Sequence, residues 1–316
     1  GQVVGDEPCD FAAISNQQVF AAGIDGAAGL LWVDNTLLVA GQTSKTVERY
    51  DSNGTHLGTL IPDAGDPVQI GIGPAGYLWV SGFHDSIDRY DLADGTLIDS
   101  FISHADLGTP YGFAFTGDGT VVVVDHDDGD VWRFSAADGA LVDLLGTVPG
   151  AKLTDLVLTE TGALWASSNA LGTVYRVDDI GEGLVQTVVA APALAGFGIA
   201  VGPDTMLYAS FGDAMIARVD PWVEAVAGSL GAVTGGSDLD DLVFGPDGRL
   251  YVSDWGNDRV LVFDVGGGGN SDVLGNHCRT DCTLPECLDS VTDPGYGESC
   301  DDGGVEPNDG CGADCE

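Results

Sequence analysis

Basic residues are scarce in this chain: ten Lys and Arg stand against fifty Asp and Glu, for a formal net charge of −40. A field of that sign repels nucleic acid and anionic lipid, so neither is an expected partner. Long apolar runs are absent too. No stretch approaches the roughly 18–20 residues that span a bilayer as a helix. No basic segment followed by an apolar one opens the sequence, as expected of a mature or never-exported form. Several catalytic signatures are missing: there is no Gly-x-Ser-x-Gly elbow, no phosphate-cradling glycine loop and no Cys-x-x-Cys-His haem site. The run DHDDGDVWRFS from Asp125 starts like an EF-hand loop but lacks its terminal Glu. Cysteine is missing from the body of the chain, with Cys9 at one end and nothing more until Cys278.

What is present is repetition. Five of the ten basic residues, Arg49, Arg89, Arg133, Arg176 and Arg218, recur in the segments TVERYD, SIDRYD, DVWRFS, TVYRVD and MIARVD, and RVLVFD from Arg259 is a sixth copy with Val262 in the Arg position. Before each comes an apolar strand such as GYLWVSG (76–82) or GRLYVSD (248–254), preceded in turn by a strand and turn such as DLVFGPDG (241–248). Units of about 40–50 residues with four short strands are the signature of a β-propeller blade, and six units predict an all-β, six-bladed propeller over 25–265. An open ring would leave an unpaired sheet edge. The sixth unit lacks an outer strand of its own, and NQQVFAAG (16–23), within the N-terminal segment 1–24, is placed to supply it. The recurrent Arg reads as a structural group, bonding carboxylates or carbonyls between blades. Trp32, Trp79, Trp132, Trp165 and Tyr208 are expected to pack between blades, and Trp222 and Trp255 to be exposed.

Residues 266–316 form a Gly-rich linker and a tail holding Cys278, Cys282, Cys287, Cys300, Cys311 and Cys315. A short Gly- and Asp-rich segment cannot bury enough apolar surface to fold alone, so it needs staples. Disulfides, and hence an oxidising compartment, are expected. A zinc site competes, but only His277 is near and the spacings are not those of a zinc ribbon. Seven cysteines leave one over: Cys9 is either free or paired with the tail in place of another.

The run CRTDCTLPECLDS…GESCDDGGVEPNDGCGADCE resembles the myxococcal-type cysteine-rich repeat, with Cys287, Cys300, Cys311 and Cys315 in the positions of its four cysteines and Leu288, Asp289 and Ser290 departing from its first turn. That resemblance implies secretion or surface display in a bacterium. LVFGPDGRLYVSDWGNDRVLVFD (242–264) resembles an NHL-type propeller repeat.

The acidic excess strains a folded chain by self-repulsion, and calcium bound through Asp-rich loops would relieve it. Many Asp residues serve turns instead, where the side chain bonds nearby backbone. The first candidate cation site is Asp155, Asp240 and Asp241 at the channel mouth; the second is Asp125, Asp127, Asp128 and Asp130. His and carboxylates around a six-bladed channel resemble the metal-dependent lactonases and the amidoglycolate lyases. The lactonase pattern needs a channel Glu, however, and Glu48, Glu160, Glu182 and Glu224 do not start inner strands; the lyase needs several His, and only His84, His104 and His126 are on the right face. The expectation is therefore a non-catalytic, self-associating subunit of an extracellular assembly, such as a filament. The alternatives are a monomer that binds a glycan or peptide, and a metal-dependent lactonase- or lyase-like enzyme.

Overall fold

The computed structural model describes residues 13–177, 188–190, 196–211, 214–222 and 225–266. The first strand, β1 (Ala13–Ala22), belongs to the last blade. Blade 1 follows with β2 (Ala27–Val33), β3 (Thr36–Gly41), β4 (Thr46–Asp51) and β5 (His56–Ile61). Blade 2 holds β6 (Pro67–Ile72), β7 (Leu78–Gly82), β8 (Ser86–Tyr90) and β9 (Leu97–Ser103). Blade 3 holds β10 (Pro110–Phe115), β11 (Thr120–Asp125), β12 (Asp130–Ser135) and β13 (Leu141–Thr147). Blade 4 holds β14 (Leu153–Leu158), β15 (Leu164–Ser168), β16 (Thr173–Val177) and β17 (Val188–Ala190). Blade 5 holds β18 (Gly196–Val201), β19 (Leu207–Phe211), β20 (Met215–Asp220) and β21 (Ala225–Ala232). Blade 6 holds β22 (Leu239–Phe244), β23 (Leu250–Asp254) and β24 (Arg259–Gly266). Each blade is a four-stranded antiparallel meander, and the sixth is completed by β1 on the outside of β24. The chain is thus an all-β, six-bladed propeller, closed by its N-terminal strand as the sequence predicts. Asn16 fastens that strand to Asp264, and the Gln17 amide bonds Thr234 in both directions at 2.8 and 2.9 Å.

The second strands are almost wholly apolar because both of their faces meet neighbouring blades, while the outer strands alternate and expose one face. Trp79 packs on Phe113 and Phe115 of the next blade, Trp165 joins Ile199 and Leu207, and Trp32 meets Tyr251 edge-on at 5.0 Å across the closure. Trp222 and Trp255 are exposed. Asp51 and Asp91 accept backbone N–H bonds two residues on, the turn role expected of many Asp residues.

Arg49, Arg89, Arg133 and Arg218 have bonds within their own blades, not the bonds between blades that were expected. Arg89 meets Asp99 on β9 and Arg133 meets Asp143 on β13 as direct cross-strand pairs, because the outer strand offers a carboxylate in register. Arg218 reaches Asp204 in the first turn of its own blade. Arg49 faces only the Gly58 carbonyl, at 3.5 Å, and Arg176 lies across from Trp165. Cys9 and the six tail cysteines lie outside the described residues. Among the described residues, no helix is long and apolar enough to cross a membrane.

Candidate functional site

All six inner strands break register with their neighbour at the same place: around Gly29, Gln69, Gly112, Asp155, Gly198 and Asp241. A break of that kind leaves backbone N–H groups without ladder partners. Side-chain oxygens at this position take them up. Asp155 Oδ1 accepts from Leu156 N–H (2.7 Å) and from the Gln69 amide (2.9 Å), and its Oδ2 accepts from Ile199 N–H of the next blade (2.9 Å). Asp241 Oδ2 accepts from Leu30 N–H across the closure (2.7 Å), its Oδ1 accepts from Leu242 N–H (2.7 Å), and Gln69 Oε1 accepts from Ile70 N–H (2.9 Å). The intervening blades carry glycine because nothing larger fits: a Cβ on Gly112 would stand 2.5 Å from Asp155 Cα, and one on Gly198 would stand 2.7 Å from Asp241 Cα. The channel is therefore girdled by alternating glycine and polar residues.

One residue earlier on the inner strands stand Tyr111, Phe197 and Asp240, which face the pocket above. Each is anchored by a buried serine of the preceding blade: Ser81 Oγ donates to the Tyr111 carbonyl, Ser167 to that of Phe197 (2.6 Å) and Ser210 to that of Asp240 (3.2 Å). The loops joining second and third strands add Gln42, Phe83, His126, Asn169 and Trp255, which occupy one shared position in their blades. With Asp238, these residues enclose a pocket of about 290 Å³ over the channel. Asp238 takes a left-handed backbone (φ 52°), a conformation unusual for an aspartate, and its carbonyl receives Trp255 N–H at 3.1 Å.

Polar bonds and ring contacts fix the pocket walls. Trp255 Nε1–H donates to Gln42 Oε1 at 2.9 Å, which ties the ring to the first blade. Tyr111 stacks on His126 at 4.6 Å, and Phe83 meets Tyr111 edge-on at 5.2 Å. His126 is buried, and neither ring nitrogen has a hydrogen-bond partner; Nδ1 stands 3.5 Å from Asp127 Oδ1. Burial and then the nearby Lys152 ammonium hold the imidazole below its ordinary pKa, outweighing Asp127 and Asp125, so it is neutral at neutral pH. Burial, with a smaller contribution from Asp240, pushes the Tyr111 phenol above its usual range and keeps it a proton donor. Burial and then the charge of Asp155 raise Asp240 to about 7, although its side chain keeps some exposure to the pocket. Asp155 is raised to about 6 by burial, against the downward pull of its three N–H donors, and Asp241 is raised by burial and by Asp155.

The structure brings Asp155, Asp240 and Asp241 close enough to influence one another, as the sequence reading placed them, but commits Asp155 and Asp241 to backbone N–H groups. Asp125 is wholly buried and accepts from Gly108 and Asp127 N–H at 2.7 and 2.9 Å, closing the loop before its inner strand. Asp127 binds Thr109 and Lys152, Asp130 binds Thr147, and Asp128 is exposed. Calcium takes six to eight oxygen ligands. Among the described residues no group of three or more His, Cys, Asp or Glu side chains is arranged to hold a metal. The donor sets therefore do not fit a metal centre. Of the pocket residues, the sequence analysis singled out His126, Asp240 and Trp255. Asp238 belongs to the acidic run 238–241 on the same face, while Gln42, Phe83, Tyr111, Asn169 and Phe197 had no signal in the sequence beyond a shared position in the repeat.

No family model and no curated protein matches the sequence. Solved structures do. A putative gluconolactonase is 17% identical over 80% of this chain and 93% of its own, with a TM-score of 0.66. A gluconolactonase from Xanthomonas campestris is 15% identical over 81% and 96%, with a TM-score of 0.65. A catalytically inactive virginiamycin B lyase from Staphylococcus aureus, bound to quinupristin, is 16% identical over 79% and 88%, with a TM-score of 0.59. At such identities the likeness is one of fold. It corrects the expectation of a non-catalytic, self-associating subunit: these similar rings are named as lactonases and a lyase, not as structural subunits.

Proposed function

We propose that the chain is an enzyme that cleaves a small cyclic or activated ester in the pocket over its channel, a lactonase- or lyase-like activity. The observation that carries this reading is His126, a buried imidazole held neutral in the pocket wall, with Nδ1 3.5 Å from Asp127 Oδ1, no hydrogen-bond partner for Nε2 among the described residues, and the Tyr111 phenol ring stacked on it. In hydrolysis, a His126 nitrogen takes a proton from water as the water oxygen bonds to the ester carbonyl carbon. The Tyr111 hydroxyl donates a hydrogen bond to the oxyanion that forms. When the carbon–oxygen ester bond breaks, the leaving alkoxide takes the proton back from His126, and the histidine is neutral again. No step is assigned to a metal ion.

A second reading, non-catalytic binding of a glycan or peptide, draws on the four aromatic rings of the pocket; a volume of about 290 Å³ suits a compact molecule better than a polymer. The NHL likeness of the blades, resting on residues 242–264, and an exported bacterial form with a disulfide-bonded tail, resting on the six cysteines between residues 278 and 315, belong to the same proposal. A free-thiol count without reductant tests the tail.

The test of the activity is turnover of a panel of lactones and activated esters. His126→Ala is expected to lower kcat by ~100-fold or more and Tyr111→Phe by ~100-fold. The free imidazole is the active form and its pKa is depressed, so the acid limb of the kcat/KM profile, which reports the free enzyme, should have its midpoint below the ordinary 6.5 of a histidine. Absence of turnover across the panel, or turnover indifferent to His126→Ala, would end this reading.

A further inference from the structure

We infer that the pocket recognises its small molecule through a compact organic cation, an alkylated ammonium group seated among aromatic rings beside Asp240. The inference rests on the proposed function in taking this pocket as the place where the substrate acts, and it adds the chemical class of that substrate.

Phe83, Tyr111, Phe197 and Trp255 come from four different blades and surround one cavity of about 290 Å³. Ring faces carry negative potential, and several rings around one space form the kind of cage that holds quaternary ammonium groups. Phe83 and Trp255 are 49% and 38% exposed, which leaves large apolar surfaces open where a ligand would cover them. The charges agree with the rings. Asp238 and Asp240 line the cavity, and among the described residues no Lys or Arg does. Lys152, beside His126, is bonded to Asp127 at 3.1 Å. The whole chain carries a formal −40, so its long-range field draws cations and repels anions. The cage is also built in advance. The Trp255 ring is bonded to Gln42 and the Tyr111 ring is stacked on His126 and met edge-on by Phe83, so these side chains lose little freedom on binding, while serines of the preceding blades fix the backbone at Tyr111 and Phe197.

The test compares choline with its uncharged carbon isostere, 3,3-dimethyl-1-butanol, by calorimetry on the full chain. Choline should bind, the isostere should bind at least tenfold more weakly, and Trp255→Ala and Asp240→Asn should each weaken choline at least tenfold while the melting temperature shows the ring intact. If Asp240→Asn does not fold, Phe83→Leu, on an exposed side chain, serves in its place. Equal affinity for the two compounds, or no binding of choline at millimolar concentration, overturns the inference. Turnover of neutral lactones by a chain that does not bind choline overturns it while the proposed activity stands. Choline binding without ester turnover supports it and removes the activity instead.

Discussion

Arg218 has the most to lose of the five repeated arginines. Its side chain is 5% exposed, and its Nε and one terminal nitrogen both donate to Asp204 Oδ2, at 3.0 and 2.7 Å, while the Tyr208 hydroxyl donates to the same oxygen at 2.9 Å. An ammonium reaches one oxygen with one donor and cannot reproduce the planar fork. Arg218→Lys should therefore destabilise the ring by about 1–3 kcal/mol, the range for hydrogen bonds to charged groups in a buried setting. Arg49 offers the contrast, since its guanidinium meets only a carbonyl at 3.5 Å. Arg49→Lys should leave thermal denaturation within about 0.5 kcal/mol of the wild type. Equal losses at the two sites would show that stability follows the strand position itself, and the carboxylate would not be the cause.

Among elements, the inner strands do the most specialised work, because six of them converge on one axis and only three can carry a side chain at the girdle. Gly112→Ala puts a methyl group against backbone atoms of Asp155 and Leu156, at 2.5 and 2.6 Å, where no rotamer change relieves it. Overpacking of this kind costs roughly 3 kcal/mol, or roughly 6–12 °C in melting temperature for a ring of this size. Gly119→Ala is the control, since a Cβ there meets nothing within 4 Å and only its positive φ of 88° opposes the change. A Gly112→Ala loss no larger than that of the control would mean the girdle spreads at little expense. The blades were legible because Arg, Trp and the Gly-Pro-Asp turns repeat as residue types. The girdle and the pocket were not, although Gly29, Gln69, Gly112, Asp155, Gly198 and Asp241 are as evenly spaced as the arginines. There the position repeats and the residue type changes, since each blade brings something different to a shared axis. Asp155 and Asp241 therefore read as candidate ligands, and their attachment to backbone N–H groups of neighbouring blades came to light only with the register breaks.

Across the whole molecule, the same buried carboxylates set how stability depends on pH. Asp155 and Asp240 are raised to about 6 and about 7, and Asp241 is raised as well, each chiefly by burial. A carboxyl group whose folded pKa lies above its unfolded value of 3.8 binds more protons in the folded state, so its contribution is fully present below that value and is lost as pH rises through the folded pKa. For Asp155 alone, moving from 3.8 to about 6 corresponds to on the order of 3 kcal/mol. Carboxylates shifted the other way, Asp99 by Arg89 and Asp127 by Thr109 and Lys152, lose their contribution only when pH falls below the usual carboxylate range, whereas His126, depressed by burial, opposes the trio as pH falls through its unfolded 6.5. The net charge of −40 acts in the same direction as the buried trio, because protonation between pH 7 and 5 relieves repulsion. The melting temperature should therefore rise on acidification from pH 7.5 to about pH 5 and fall again below about pH 4. Added salt separates the two causes, since it screens the surface field but hardly reaches the girdle. A rise that persists at high salt belongs to the buried carboxylates, one that salt abolishes belongs to net charge, and a flat or falling profile would show that the N–H donors keep the girdle ionised through this range.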